Sequence, residues 1–458
     1  MNQETNLKSP TGASTDAELH GRFRELADHI RSRLHGGEDF LAEFNAEESD
    51  FARFNKAKIR QAGRVTQRSI SIELIEGSRH SSAGITLSGD PATDRARCDA
   101  AIEELRRRLP HLSEDPHLLF SREVHDTEAH GRDETPDAGS AMAQVLDAAA
   151  GREFVGIWAS GGIYSGFANS FGQRNWFSSH TFNLDWSLYH RADKAVKCNY
   201  AGFAWDAAEY GRRLDAALVK LEILAREPKT IRPGKYRVYL APDALSEIIG
   251  MLSWGGLGLK SHRTKQTMLI KMVEEGWKLH PAVTIRENTK DGVAQNFQSM
   301  GFIKPDSVTI IEKGLYKDCL VSPRSAKEYG VPTNGANSYE APESVEMDAG
   351  EIPEAEVASR LGTGILINNL WYLNFSDRPS CRMTGMTRFA TFWVEDGKIS
   401  APLNVMRFDE TIYRALGEKL VGLTQERSFI LDASTYYQRS TGSWRLPGAM
   451  IDDFTFTL

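Results

Sequence analysis

The sequence predicts an α+β protein of two domains, and three observations carry that reading. Helical and alternating segments are mixed along the chain without a regular strand–helix–strand rhythm, which disfavours a doubly wound sheet. At 458 residues the chain is too long for one ordinary core. With 41% hydrophobic and 26% charged residues, its composition is that of a globular protein.

Taken in order, residues 1–15 read as a disordered tail. A helix then opens at Thr15 with Glu18 three residues on, a capping box. Leu19, Phe23, Leu26, Ile30 and Leu34 follow at helical spacing as one buried stripe. Ile70, Ile72 and Leu74 alternate with polar neighbours as a strand, and Ala83 to Leu87 can return beside it. Asp90-Pro91 opens a second helix with Cys98, Ile102, Leu105 and Leu109 on its apolar side, which makes Cys98 a core thiol.

Residues 110–135 are polar and read as a loop, with a short helix over 137–150. Strands are expected from Phe154 to Tyr189, where Phe182, Leu184, Trp186 and Leu188 alternate strictly. A long helix capped by Asp206 buries Tyr210, Leu214, Leu218, Leu221 and Leu224. Pro233 and Gly234 break the pattern before a strand at Tyr236, Val238 and Leu240, so the domains are drawn as 16–232 and 233–458. Asp243 is read as the cap of the next helix, which carries Leu245, Ile248, Ile249 and Leu252. The acidic, proline-punctuated stretch 331–357 is expected to be a surface excursion. The remainder reads as strands, and Asp396-Gly397 supplies the positive φ angles for a tight hairpin.

Several function classes are disfavoured. A net charge of −7 leaves no basic footprint for nucleic acid. No run approaches the roughly eighteen apolar residues of a membrane span, and no secretory signal is recognisable. The cysteines Cys98, Cys198, Cys319 and Cys381 are scattered without a CxxC pair, which suits reduced thiols in a cytoplasm better than a disulfide framework or a zinc ribbon.

The glycine-rich ASGGIYSGFANSFG lacks the P-loop pattern and the strand-to-helix context of a dinucleotide fingerprint, so its glycines are assigned to a bend or bulge of a sheet. His180, Asp185 and His190 share one strand, but the two histidines would stand about 33 Å apart at about 3.3 Å per residue. They are read as surface or edge histidines. Cys381 lies among Asp377, Arg378, Arg382 and Arg388; a thiolate there would need a base such as His262 or His280 brought close by the fold. Arginines holding carboxylates are the simpler reading.

The strand entry PGKYRVYLAP, the segment GTGILINNLWYL, the block MTGMTRFATFWVEDGKISAPL and the terminal strand IDDFTFTL together resemble the TldD/PmbA family. EESDFARFN and IRQAGRV extend the similarity into the amino-terminal half. The resemblance implies an amino-terminal α/β sandwich-like domain and a mainly β, barrel-like carboxy-terminal domain with a few helices. It also implies a cytoplasmic, metallopeptidase-related protein acting on small unfolded or modified peptides.

In catalytic members the first helix of the second domain carries HExxxH. Setting the family's trailing glycine–leucine on Gly256-Leu257 places Gly250 and Gly255 at the histidine positions and Met251 at the glutamate. A further cysteine ligand near the carboxy terminus is absent too, since no cysteine follows Cys381. This departure is that of the PmbA (TldE) branch.

The expectation is therefore a non-catalytic subunit with no catalytic residue, metal or cofactor of its own. Its partner would be a TldD-type subunit carrying zinc, with homodimers when isolated. Asn368, Asn369, Arg378, Cys381 and Arg382 are candidate peptide or partner contacts, because asparagine bonds extended backbone in both directions and arginine holds carboxylates. Two alternatives stand beside it: an independent hydrolase built around Cys381 or His262, and a regulatory binding protein with no part in proteolysis.

Overall fold

The computed structural model describes residues 12–457. The tail expected over 1–15 lies outside the described residues as far as residue 11; from Gly12 onward the chain is helical. Among the described residues the protein is α+β, with two large sheets.

The first half builds strands β1 (Glu38–Asn55), β2 (Lys58–Glu76), β3 (Arg79–Thr86), β4 (Thr127–Ala129), β5 (Glu153–Asn169), β6 (Arg174–Arg191) and β7 (Lys194–Gly202). Their order is β3-β2-β1-β5-β6-β4, with β7 also on β6. Helices α1 (Gly12–Ser32), α2 (Pro91–Arg108), α3 (Ala138–Ala148) and α4 (Ala207–Leu224) complete this half.

Strand alternation decides what each face of the sheet meets. Phe40, Phe44, Ile70, Ile72 and Leu74 pack under Leu19, Phe23, Leu26 and Ile30 of α1 and Cys98, Ile102 and Leu105 of α2. Further along, Phe154, Trp158, Phe182, Leu184, Trp186 and Leu188 meet Val145 of α3 and Tyr210 and Leu214 of α4. The odd-numbered residues of β1 and β6 point the other way. There Glu47 meets Arg439 and Asn183 bonds Leu431, so the second face of the sheet abuts the carboxy-terminal half.

That half contributes β8 (Gly234–Leu240), β9 (Ile285–Glu287), β10 (Val308–Glu312), β11 (Leu315–Tyr316), β12 (Ser344–Met347), β13 (Gly364–Asp377), β14 (Arg382–Glu395), β15 (Lys398–Pro402), β16 (Arg407–Thr411), β17 (Leu420–Leu431) and β18 (Ser443–Phe456). The path β18-β16-β14-β13-β8 returns to β18 through the pairing of Val238 with Ile451, which closes a five-stranded barrel. Closure leaves these strands no free edge. The hairpin turn at Asp396-Gly397 has φ of 48° and 76°, as its sequence demanded.

Four expectations need correction. Thr15 does not cap the first helix: it lies inside α1, buried, because the helix starts at Gly12. Asp243 is not a cap either. Helix α5 (Pro242–Leu252) begins with proline at its first position and no side-chain cap, so Asp243 is left free for another environment. The polar loop 110–135 contains β4, which pairs in parallel with β6. The acidic excursion 331–357 dips into the core: Val345 and Met347 of β12 are buried, with β12 between β9 and β18. Net acidity hid a short strand whose apolar residues alternate only twice.

Candidate functional site

Helix α5 leaves β8 where the Ala241 N–H donates to the Ile367 carbonyl, fixing its start against β13. Ala244, Leu245, Ile248, Ile249, Met251 and Leu252 form its buried face. The opposite face, with Asp243, Ser246, Glu247 and Gly250, lines a cleft of about 470 Å³. Asp185, Lys197 and Asn199 from β6 and β7 form the facing wall, and Asn369, Leu431, Asp432 and Trp444 come from the carboxy-terminal half. The cleft thus lies between the two sheets and uses both.

Its charges are crowded. Lys197 Nζ stands 3.2 Å from Asp185 Oδ2. Burial pushes Asp243 up to about 6, against the pull of Lys197. Burial raises Asp185 and Glu247 in the same sense, and Lys197 opposes it in both. Burial works against the charge on Lys197, yet Asp185, Asp243 and Glu247 hold its pKa above the ordinary value. With Asp432, four carboxyl groups face one lysine. Three buried polar atoms of lining residues have no hydrogen-bond partner among the described residues: the acceptors Asn199 Oδ1 and Asn369 Oδ1, and the donor Trp444 Nε1. Buried polar groups are ordinarily bonded, so these three atoms are unmet hydrogen-bonding capacity in the wall of the cleft.

At the degenerate motif positions the structure gives each residue a separate reason. Met251 is core. Gly250 faces the cleft, and a Cβ there would meet nothing within 4 Å. Helix α5 ends at Leu252, and Gly255 follows it with φ of 85°, a conformation that glycine adopts freely. A Cβ on Gly256 would fall 2.2 Å from Met268 Sδ. The glycines at 255 and 256 therefore serve the turn that ends the helix, and Gly250 alone presents bare backbone to the cleft.

Of the sequence-derived contact residues, Asn369 lies in the cleft lining. Asn368 sits beside it at a bulge of β13, its Oδ1 buried without a partner. Arg378 donates to the carbonyls of Trp254 and Gln266, pinning the turn after α5. Arg382 pairs with Asp409. Cys381 is fully buried, and burial pushes its thiol up to about 12 in spite of Arg378. It can neither touch a partner nor ionise near neutrality, which withdraws it as a contact and as a nucleophile. Both ring nitrogens of His262 are engaged, with the Gly256 carbonyl and the Tyr316 hydroxyl. His180 is buried rather than at an edge or surface, in an edge-to-face contact with Tyr164, while His190 is exposed.

Sequence reasoning missed Lys197, Asn199, Asp243, Glu247, Asp432 and Trp444 as cleft residues. Asp185 did carry a signal: between Asn183 and Ser187 it is the charged residue on the face of β6 opposite Phe182, Leu184, Trp186 and Leu188, the face that meets the other half.

The carboxy-terminal residues 233–458 match the family model described as the PmbA/TldA metallopeptidase C-terminal domain. The chain belongs to the TldD/PmbA family. Solved structures with the same fold include TldE from Thermococcus kodakarensis, at 14% identity and a TM-score of 0.74, over 95% of this chain and 100% of that one. A protein of Thermotoga maritima described as a candidate modulator of a DNA gyrase matches at 15% identity and 0.74, over 95% and 100%. One of the same description from Bacteroides thetaiotaomicron matches at 15% and 0.70, over 95% and 98%. No curated protein sequence matches the chain. No helix among the described residues is long and apolar enough to cross a membrane.

Proposed function

We propose that this TldD/PmbA-family chain is a non-catalytic, TldE-like subunit of a cytoplasmic TldD-type zinc metallopeptidase complex that cleaves small unfolded or modified peptides. One observation supports the reading: α5 lies beside a polar cleft, and on it and the turn that follows, the resemblance sets Gly250 and Gly255 at the two zinc-ligand positions and Met251 at the general base. Neither glycine nor methionine can hold or activate a zinc-bound water, so hydrolysis would fall to a partner subunit. The likeness to TldE in fold agrees with this. The free cysteines agree with a reducing compartment.

The cleft is the part of the chain suited to a peptide. Asn199, Asn369 and Trp444 give its lining polar side chains, and the carboxylates around Lys197 favour a substrate carrying positive charge. Gly250→Trp tests this, since a Cβ at this position meets nothing within 4 Å and the indole beyond it would occupy the cleft. The complex formed with the variant should bind normally and lose most peptide cleavage. Full cleavage by that complex would exclude the cleft from the peptide's path.

A further inference from the structure

Away from the cleft, α1 and the segment around β4 bring three ligating side chains together. His20 Nδ1 lies 3.6 Å from Glu128 Oε1, and the same oxygen lies 2.7 Å from His130 Nε2. All three ligand atoms fall within 4.8 Å of one another. Metal bonds of about 2.0–2.2 Å set the ligands of a tetrahedral ion about 3.3–3.6 Å apart, so small side-chain rotations would complete the set.

Two features distinguish this group from a chance surface cluster. The first is a carboxylate behind a ligand. Asp16, buried, accepts from the other nitrogen of His130 at 2.5 Å. Asp16 is itself fixed by Trp176 Nε1 at 2.8 Å and by the Ser178 hydroxyl at 3.0 Å. A carboxylate on the far nitrogen is how metal-bound histidines are oriented and made more basic. It sets the His130 tautomer so that Nε2 faces Glu128. The second is that His20 is held in orientation, its ring stacked on Trp176 at 4.9 Å. Trp176 thus positions Asp16 and His20 together.

We infer that His20, Glu128 and His130 form a binding site for one borderline divalent cation, Zn²⁺ foremost, with Asp16 as the positioning residue of His130. Two imidazoles and one carboxylate suit such an ion better than calcium or magnesium, which prefer all-oxygen shells. Glu128 and His130 are open to solvent, so water completes the coordination. The neighbouring cation Arg24 projects from the exposed side of α1, and the two carboxylates Glu128 and Asp16 balance the charge of the metal. Bound there, the ion ties α1 to the strand β4 across more than a hundred residues of chain. The site is independent of α5 and of peptide cleavage.

The test uses the untagged, chelator-stripped full chain, titrated with Zn²⁺ by calorimetry and with Co²⁺ by visible absorption. The wild type should take up one zinc per chain, and bound Co²⁺ should show a low-symmetry d–d spectrum. His130→Ala should abolish both signals. Glu128→Gln, at an exposed side chain, should weaken binding at least about tenfold, and Asp16→Asn about 10–100-fold. Far-UV dichroism and the thermal midpoint in chelator, matched to the wild type in chelator, establish that each variant is folded. Zinc uptake unchanged in His130→Ala and Glu128→Gln, or no uptake by the folded wild-type chain, overturns the inference.

Discussion

Arg439→Met removes the side chain that joins the two halves behind the cleft. Arg439 and Glu47 are 8% and 3% exposed, and Arg439 Nε lies 3.8 Å from Glu47 Oε1. Its Nη1 donates to the carbonyls of Thr181 at 3.0 Å and Ala159 at 3.3 Å, and its Nη2 to that of Gly161 at 2.8 Å. Burial lowers its pKa to about 10, against Glu47, so it remains a cation at neutral pH.

Methionine fills comparable space but leaves Glu47 as an uncompensated charge and removes three hydrogen bonds to backbone carbonyls. Breaking such a buried pair costs about 3–5 kcal/mol. Part of that loss is the orphaned carboxylate, so adding Glu47→Gln should recover about 1–3 kcal/mol as a coupling energy. Urea denaturation followed by tryptophan fluorescence and dichroism measures both quantities. The same loop carries Asp432 and Ala433 into the cleft lining, so Arg439→Met should also expose residues 432–442 to limited proteolysis. A loss below about 1 kcal/mol, or strict additivity in the double variant, would refute the clamp.

Asp243 has its folded pKa raised by burial to about 6, above the ordinary 3.8. The folded state therefore binds its proton more tightly than the unfolded chain, and wild-type stability falls as pH rises between those values. Asp243→Asn should gain on the wild type from pH 4 to pH 7 in denaturation experiments; a constant difference across that range would contradict the assignment. Gly250→Ala, inside α5 with open space around the new methyl group, should stabilise the chain by about 0.5–1 kcal/mol. Destabilisation by this variant in the same measurement would mean that the backbone needs glycine there.

The local signals were legible where one residue did one job. Asp90 and Asp206 cap their helices as read, and Phe182 to Leu188 alternate into the core. Capping failed at Thr15 and Asp243 because the same side-chain chemistry serves elsewhere: helix begins before Thr15, and proline starts α5 without help from Asp243. Barrel closure through β8 and β18 joins residues some two hundred apart, and no local pattern encodes it. The cleft was illegible for the same reason. Asp185, Lys197, Asp243 and Trp444 come from four elements, and each alone is an ordinary polar or aromatic residue. Position along the chain placed Gly250 in the motif, but only the turn geometry separates it from Gly255 and Gly256.

Peptidase activity decides the central proposal. The purified chain would be assayed on an unstructured, positively charged peptide alone, then with an HExxxH-bearing TldD-type subunit, with and without a zinc chelator. The proposal predicts no turnover by the chain alone, turnover by the mixture above that of the partner alone, and its loss on chelation. Turnover by the chain alone at the rate of the mixture would contradict it and place a catalytic site within this chain.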